Sequence, residues 1–416
     1  MINLKGACMF GQSGGPTSVI NASAAGVFIE ALSQKNITKV YGLAHGIRGL
    51  LDENFYDMGK EDQNELLLLK NTPSSNLGSV RYKLKDSSVD ETDYKKILEV
   101  FKKYDVRYFF YNGGNDSMDT CNKISKYLMK AGYDCNIIGV PKTIDNDLFG
   151  TDHCPGYASA AKYVATTLME LNLDAKVYDK GQVVVIEIMG RNAGWLTAAA
   201  SLAGYKGLGA DLIYLPEVPF SIEKFKKDVK RVMDENGGKC IACVSEGIRD
   251  KDKNFIVEKL SQEKAKDNFG HTQLGGLAIQ LADLINQEYG VKVRGIEFSL
   301  MQRSAAHLAS AVDVEEAFNA GREAVKAACS GITDKMVAFE RDMSSGGYRC
   351  VYKLLPLEVV ANAEKTVPLE WITEDGIGMK KEFIDYALPL IQGDSKAPLE
   401  DGLPRFSKLK KIKAGK

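Results

Sequence analysis

The chain has 416 residues, room for about three ordinary domains or two large ones, and can bury a core without disulfide or metal staples. Its 54 basic and 55 acidic residues leave a net charge of −1, which excludes bulk electrostatic attraction to nucleic acid or to an acidic membrane. No stretch approaches the roughly 18 uninterrupted apolar residues of a membrane-spanning helix, and Met1-Ile2-Asn3-Leu4-Lys5 lacks a signal-peptide layout, so the expected compartment is the cytoplasm.

Along the chain, short apolar runs alternate with helical patterns. Residues 5–10 predict a strand and 18–32 a helix rich in small residues. A strand at 106–111 ends at Asn112-Gly113-Gly114, and a helix follows from Ser117 to about Ala131. Residues 136–140 predict a strand stopped by Pro141, and 182–189 another, followed by a helix over 191–202. The strand pattern returns at 239–245, just before Glu246-Gly247. Fully apolar strands between helices predict mostly parallel sheets covered on both faces, hence an α/β fold of two doubly wound, Rossmann-like lobes with a cleft between them. No repeat or low-complexity linker separates the lobes, so crossings of the chain are expected to join them. The basic end, 408–416, reads as a solvated tail.

Cysteine and histidine offer little chemistry. Only Cys240 and Cys243 form a C-x-x-C, inside a predicted strand where positions three apart face opposite ways, so they read as core thiols. His45, His153, His271 and His307 are far apart and lack zinc-site spacing.

Ligands of open α/β sheets bind at the carboxyl ends of strands, and three strand-ending loops stand out. Gly11-Gln12-Ser13-Gly14-Gly15 can be a tight turn or, because paired glycines admit a ligand to the backbone, an anion site at a helix start. Gly113-Gly114-Asn115-Asp116-Ser117 reads either as a helix cap, with Asp116 favoured by the helix dipole, or as a phosphate and metal cradle. Pro141-Lys142-Thr143-Ile144-Asp145-Asn146-Asp147 crowds two carboxylates, an amide, a hydroxyl and a lysine at the end of an apolar strand. That density packs poorly and suits phosphoryl transfer, which needs a base on the attacking hydroxyl and cations on the phosphoryl oxygens. Downstream, Met189-Gly190-Arg191, Glu246-Gly247, Arg294 and Gln302-Arg303 add arginines that can fork onto a phosphate or form surface salt bridges. No Gly-Lys is followed by Ser or Thr, so a Walker-A loop is absent, and no clean Gly-x-Gly-x-x-Gly follows the first strand.

In this order the motifs resemble the phosphofructokinase family, from Lys5 to about Ala328. The resemblance implies two α/β lobes, Mg²⁺, and phosphorylation of the 1-hydroxyl of fructose 6-phosphate, with no nucleic-acid or membrane partner. It makes Asp145 the catalytic base, with Thr143, Lys142, Asp116 and Arg191 as further catalytic residues. It assigns Gly14, Gly15, Arg81, Gly114 and Lys142 to the transferred phosphate's donor. Thr143, Asp145, Asp147, Met189, Gly190, Arg191, Glu246, Leu300 and Arg303 go to the sugar phosphate or the moving phosphoryl group, and Asn115 and Asp116 to the metal. Arg294 matches a substrate-binding position that reaches the sugar phosphate from a neighbouring subunit, implying a homodimer or homotetramer. The implied organisation is a donor lobe of 1–155 plus about 304–380, a sugar-phosphate lobe of 156–303, and an extension over about 381–416.

The loops also speak to the donor. ATP-using members resemble Gly-Gly-Asp-Gly-Ser and Pro-Gly-Thr-Ile-Asp-Asn-Asp; here Asp116 and Lys142 replace the variable glycines, as in the pyrophosphate-dependent branch. A carboxylate about 4 Å from a nucleotide's α-phosphate costs roughly 4 kcal/mol at an effective dielectric of about 20. Asp116 also fills the space that phosphate needs, while Lys142 adds a cation for a short diphosphate. Three positions depart from the family pattern. Asn115 replaces an Asp associated with Mg²⁺, whose charge Asp116 would supply instead. Leu300 replaces a His or Tyr and Gln182 an Arg of short bacterial relatives, so a longer sugar such as sedoheptulose 7-phosphate becomes admissible. The competing readings are an ATP-dependent phosphofructokinase and a non-catalytic sugar-phosphate-binding regulatory subunit.

Overall fold

The structure is a computed structural model that describes residues 4–177, 179–260, 275–361 and 363–415; His271 and Lys416 of the sequence reading lie outside the described residues. Strands β1 (Gly6–Gln12), β2 (Ile37–Leu43), β3 (Phe55–Asp57), β4 (Val106–Gly113) and β5 (Asn136–Pro141) are joined much later by β10 (Lys335–Asp342) and β11 (Arg349–Pro356). They form one sheet in the order β11-β10-β5-β4-β1-β2-β3. Its five central strands are parallel, and β3 and β11 pair antiparallel at the two edges. A second, all-parallel sheet has the order β7-β8-β6-β9, from β6 (Val183–Ile188), β7 (Leu212–Tyr214), β8 (Cys240–Ser245) and β9 (Val293–Glu297).

Strand alternation explains why the sequence runs apolar without a polar face. In β1 and β4, Phe10, Tyr108 and Phe110 enter one core, while Met9, Phe109 and Tyr111 enter the core on the other face. In β6, Val184, Ile186 and Ile188 pack on one side and Val183 and Val185 on the other. Both faces are thus covered, each buried aliphatic or aromatic side chain contributing roughly 1.5–3 kcal/mol. Cys240 and Cys243 fall into opposite cores as free thiols, as their spacing in a strand requires. No helix among the described residues is long and apolar enough to cross a membrane.

Three local expectations need correction. The helix expected from Ser117 spans Asn115–Lys130, with Gly114 at its cap and no capping side chain, so Asn115 and Asp116 form its first turn. The helix expected over 191–202 is replaced by a turn and two short pieces, Trp195–Ala198 and Ala200–Gly204, because Gly190 and Gly194 are tied to other loops before helix can form. The C-terminal tail is docked rather than solvated. Its Lys410 and Lys411 N–H groups both donate to the buried Glu61 carboxylate at 2.7 Å, and Arg405 pairs with Glu65. The tail then runs antiparallel beside β3, with Asp57 N–H to Ile412 O at 2.9 Å and Ala414 N–H to Phe55 O at 3.0 Å. Its charges are on side chains, but its backbone supplies an edge strand, a pairing that charge patterning does not reveal.

Candidate active site

The loop at the end of β5, which carries Asp145 and Asp147, is built from alternating anchors. Lys142 N–H donates to Gly113 O at 3.0 Å, which sets this loop against the end of β4. Thr143 Oγ1 accepts from Asp145 N–H at 3.0 Å, Ile144 is buried in the core of the second lobe, and Asn146 adopts φ 56° with no exposed surface. The Asn146 amide accepts from Cys154 N–H at 2.9 Å and donates to Tyr386 Oη at 2.8 Å. Thr143, Ile144 and Asn146 therefore hold the turn, and Asp145 and Asp147 are left half-buried beside it.

The other two loops converge on the same lysine. Gly14 has φ 74°, a conformation that favours glycine, and a Cβ there would lie 3.2 Å from Lys142 Nζ. One on Gly15 would lie 3.0 Å from the Arg303 guanidinium, and one on Gly114 would lie 3.5 Å from Lys142 O. Ser79 Oγ donates to Gly14 O at 2.6 Å, and Arg81, two residues on, is exposed but acts electrostatically on both Lys142 and Arg303. With no side-chain cap, the helix starting at Asn115 presents its first N–H groups to an anion.

The second lobe supplies the facing wall. Gly190 has φ 143°; its N–H donates to Glu246 Oε1 at 3.3 Å and its O accepts from Ser245 Oγ at 2.5 Å. Met189 N–H donates to Oε1 of the buried Gln302 at 3.2 Å, so the residue before Arg303 orients the Met189-Gly190-Arg191 turn. Glu364, Lys365 and Asn192 contact these loops and were not singled out from the sequence, where Gln302 was named only as the residue before Arg303. Only Gln302, adjacent to Arg303, carried a local signal.

The electrostatics are those of a shared, water-poor site. Burial raises the Asp145 carboxyl above the ordinary carboxylate range, Glu246 and Glu364 add to this, and Lys142 and Arg191 oppose it. Asp147 is raised by burial, then by Asp145 and Glu364. Burial lowers Lys142 to about 8 against the pull of Asp145 and Asp147, with Arg303 and Arg81 pushing the same way as burial. Arg303 is lowered by burial and then by Arg81, and Glu246 is raised by burial. Clustered cations and carboxylates that depress and raise one another are the mark of a site built to receive an anion and move a proton.

Other sequence candidates sit differently. Asp116 is exposed and 4.0 Å from Lys83 Nζ, so water and that ammonium screen its charge. Screening at this exposed position makes the roughly 4 kcal/mol repulsion expected of it too large. Leu300 is 55% exposed, ahead of Arg303, and Arg294 is exposed on β9, an edge strand. Gln182 is buried where β6 begins, at the opposite end of that strand from Met189.

A metal would find donors here. Asn115 Nδ2 donates to Asp147 Oδ2 at 3.3 Å, which leaves its Oδ1 buried without a protein partner. Among the described residues no three His, Cys, Asp or Glu side chains converge into a ready ion cage. One amide oxygen beside carboxylates suits Mg²⁺, which keeps several waters and takes the remaining oxygens from substrate phosphates.

Residues 8–296 match the family model described as phosphofructokinase. A Halomonas elongata protein named pyrophosphate–fructose 6-phosphate 1-phosphotransferase is 43% identical over 97% of this chain and 96% of its own length. One of the same name from Xanthomonas campestris is 43% identical over 99% and 98%. The crystal structure of pyrophosphate-dependent phosphofructokinase from Marinobacter aquaeolei superposes with a TM-score of 0.88 at 39% identity, covering 99% of this chain and 98% of that one.

Proposed function

The chain belongs to the phosphofructokinase family, and from that premise we propose that its cleft reversibly transfers a phosphoryl group from pyrophosphate to the 1-hydroxyl of fructose 6-phosphate. The products are fructose 1,6-bisphosphate and phosphate. The observation that carries this reading is Lys142, buried at the end of β5 and meeting the glycine loop on one side and the electrostatic field of Asp145 on the other. A short diphosphate seated on Gly14, Gly15 and Gly114 regains for Lys142 the counter-charge that burial denies it.

In this mechanism Asp145 accepts the proton of the sugar hydroxyl as that oxygen attacks the terminal phosphorus in line, and the bridging oxygen leaves with phosphate. Lys142, Arg191 and Arg303 receive the charge that spreads over the phosphoryl oxygens. Arg81 steers the diphosphate from the rim. Thr143 keeps Asp145 aimed through the Asp145 N–H bond. Met189, Gly190 and Glu246 hold the sugar end, with Leu300 at its edge. Asn115 Oδ1 and the Asp147 carboxylate would hold Mg²⁺, with Asp116 adding charge at the rim. The ion would supply positive charge that offsets the negative charge of the phosphate oxygens. The seven-stranded lobe with its β10–β11 return is the donor lobe, and the four-stranded lobe takes the sugar phosphate. Exposed Arg294 on the β9 edge serves a second copy of the chain in a homodimer or homotetramer.

The pH dependence of kcat/KM for pyrophosphate tests the assignment. Asp145 works as a base only when ionised, and its carboxyl is raised, so activity falls with decreasing pH well before the ordinary Asp value of about 3.9 is reached. Lys142 binds diphosphate only when protonated, so an alkaline limb is expected near its value of about 8. Lys142→Arg keeps a cation that does not titrate and should remove that limb. An alkaline limb unmoved in Lys142→Arg would assign it elsewhere.

A further inference from the structure

Residues 364–367, Glu-Lys-Thr-Val, are bonded to both lobes at the loops that carry the chemistry. On the donor side, Glu364 bridges Leu148, and Lys365 N–H donates to Asp147 O at 2.8 Å. Lys365 Nζ donates to Thr151 O at 3.1 Å and Asp152 O at 2.7 Å. On the sugar side, Asn192 Nδ2 donates to Glu364 Oε1 at 3.0 Å and Trp195 Nε1 to Lys365 O at 2.9 Å. Glu217 Oε1 accepts from Gly194 N–H and Val367 N–H, both at 2.9 Å. Asn192, Gly194 and Trp195 follow directly on Met189-Gly190-Arg191, and Leu148 to Asp152 follow directly on Asp145 and Asp147.

We propose that residues 364–367 form a strap that keeps the base-bearing loop in register with the arginine-bearing loop, and that Lys365 is its positioning residue. This rests on the reading of the cleft as a phosphoryl-transfer site. A methionine would fill the same space at lower desolvation cost, so an ammonium used only for packing is the wrong side chain. Here it ties down two successive carbonyls and lies 4.9 Å over the Trp195 ring, joining the lobes through one side chain. Its charge also faces Asp147, Asp152, Cys154 and Arg341, while Asp147 itself faces Asp145, Glu364, Lys142 and the Asn115 amide. Transfer geometry is sensitive to shifts of about 1 Å, so loosening the strap should reach turnover.

The test is Lys365→Met and Lys365→Arg in the full chain, with pyrophosphate, fructose 6-phosphate and Mg²⁺. Lys365→Met should lower kcat about tenfold or more and raise KM for fructose 6-phosphate, because both loops then lose their shared anchor. Lys365→Arg, which keeps the donor and the charge, should return kcat and KM toward the parental values. The chain's two tryptophans, Trp195 and Trp371, pack 6.1 Å apart beside the strap, so fructose 6-phosphate should change their emission and Lys365→Met should blunt the change. If Lys365→Met does not fold, Asn192→Ala removes the exposed Glu364 anchor, together with the Arg249 Nη2 bond to Asn192 Oδ1 at 2.7 Å, and should raise KM for fructose 6-phosphate about threefold. Unchanged kcat and KM in Lys365→Met, or unchanged KM in Asn192→Ala, would overturn the strap. So would a parental emission indifferent to fructose 6-phosphate. A parent that shows the emission change but turns over no pyrophosphate would sink the reaction and leave the strap standing.

Discussion

Asp145→Asn is expected to lower kcat with pyrophosphate by about a thousandfold, within the range that general-base removal costs. Fructose 6-phosphate binding should stay within about threefold of the parent, because Glu246, Arg191 and Arg303 are untouched. The loop should survive as well: Thr143 Oγ1 bonds the backbone N–H of residue 145, not its side chain, and Asn146 carries the ties to Cys154 and Tyr386. Stability gives an internal control. A carboxyl raised in the folded state contributes stability at low pH that is lost as pH rises through its folded value, so near neutrality the ionised group opposes folding. The amide is free of that cost, and Tm at pH 8 should not fall. Turnover within about threefold of the parent would remove Asp145 from its role as base.

Replacing both donor-loop residues, Asp116→Gly with Lys142→Gly, is expected to admit ATP while kcat/KM for pyrophosphate falls about a hundredfold or more. The second effect follows from losing a charge-assisted contact in a buried site, worth about 1.5–3 kcal/mol, together with its share of transition-state stabilisation. The first follows from space and charge at two different places. Asp116 stands exposed in the first turn of the helix, so its removal opens room for a nucleotide's α-phosphate. Lys142 is buried and lies against the glycine loop, where it fits the terminal groups of a short donor. Asp116→Gly alone should therefore admit less ATP than the pair. Initial rates with each donor check this, and a double variant inert toward ATP would contradict the exclusion.

The strands, and the loops proposed to carry the chemistry, were legible because their signals are local. An apolar run that ends in Pro141-Lys142-Thr143-Ile144-Asp145-Asn146-Asp147 can place its charges only at a strand end, and the fold puts them there. The motif's inner division of labour was not legible. Nothing in the sequence says that Asn146 ties the turn to Tyr386, some 240 residues away, while its neighbours face the cleft. Glu364 and Lys365 were silent for the same reason: their partners, Asp147, Asp152, Asn192 and Trp195, meet them only after both lobes have folded. The tail misled because charge on side chains says nothing about where backbone donors go, and those of Lys410 and Lys411 go to Glu61. Asp116 shows the limit of charge counting, since its exposure beside Lys83 decides how much its carboxylate weighs.

The most direct measurement is the initial rate of fructose 6-phosphate phosphorylation with Mg²⁺, comparing pyrophosphate with ATP as donor on the unmodified chain. Rapid turnover with pyrophosphate and little or none with ATP is the expected result. Turnover with ATP that matches or exceeds pyrophosphate would contradict the roles given to Lys142 and Asp116.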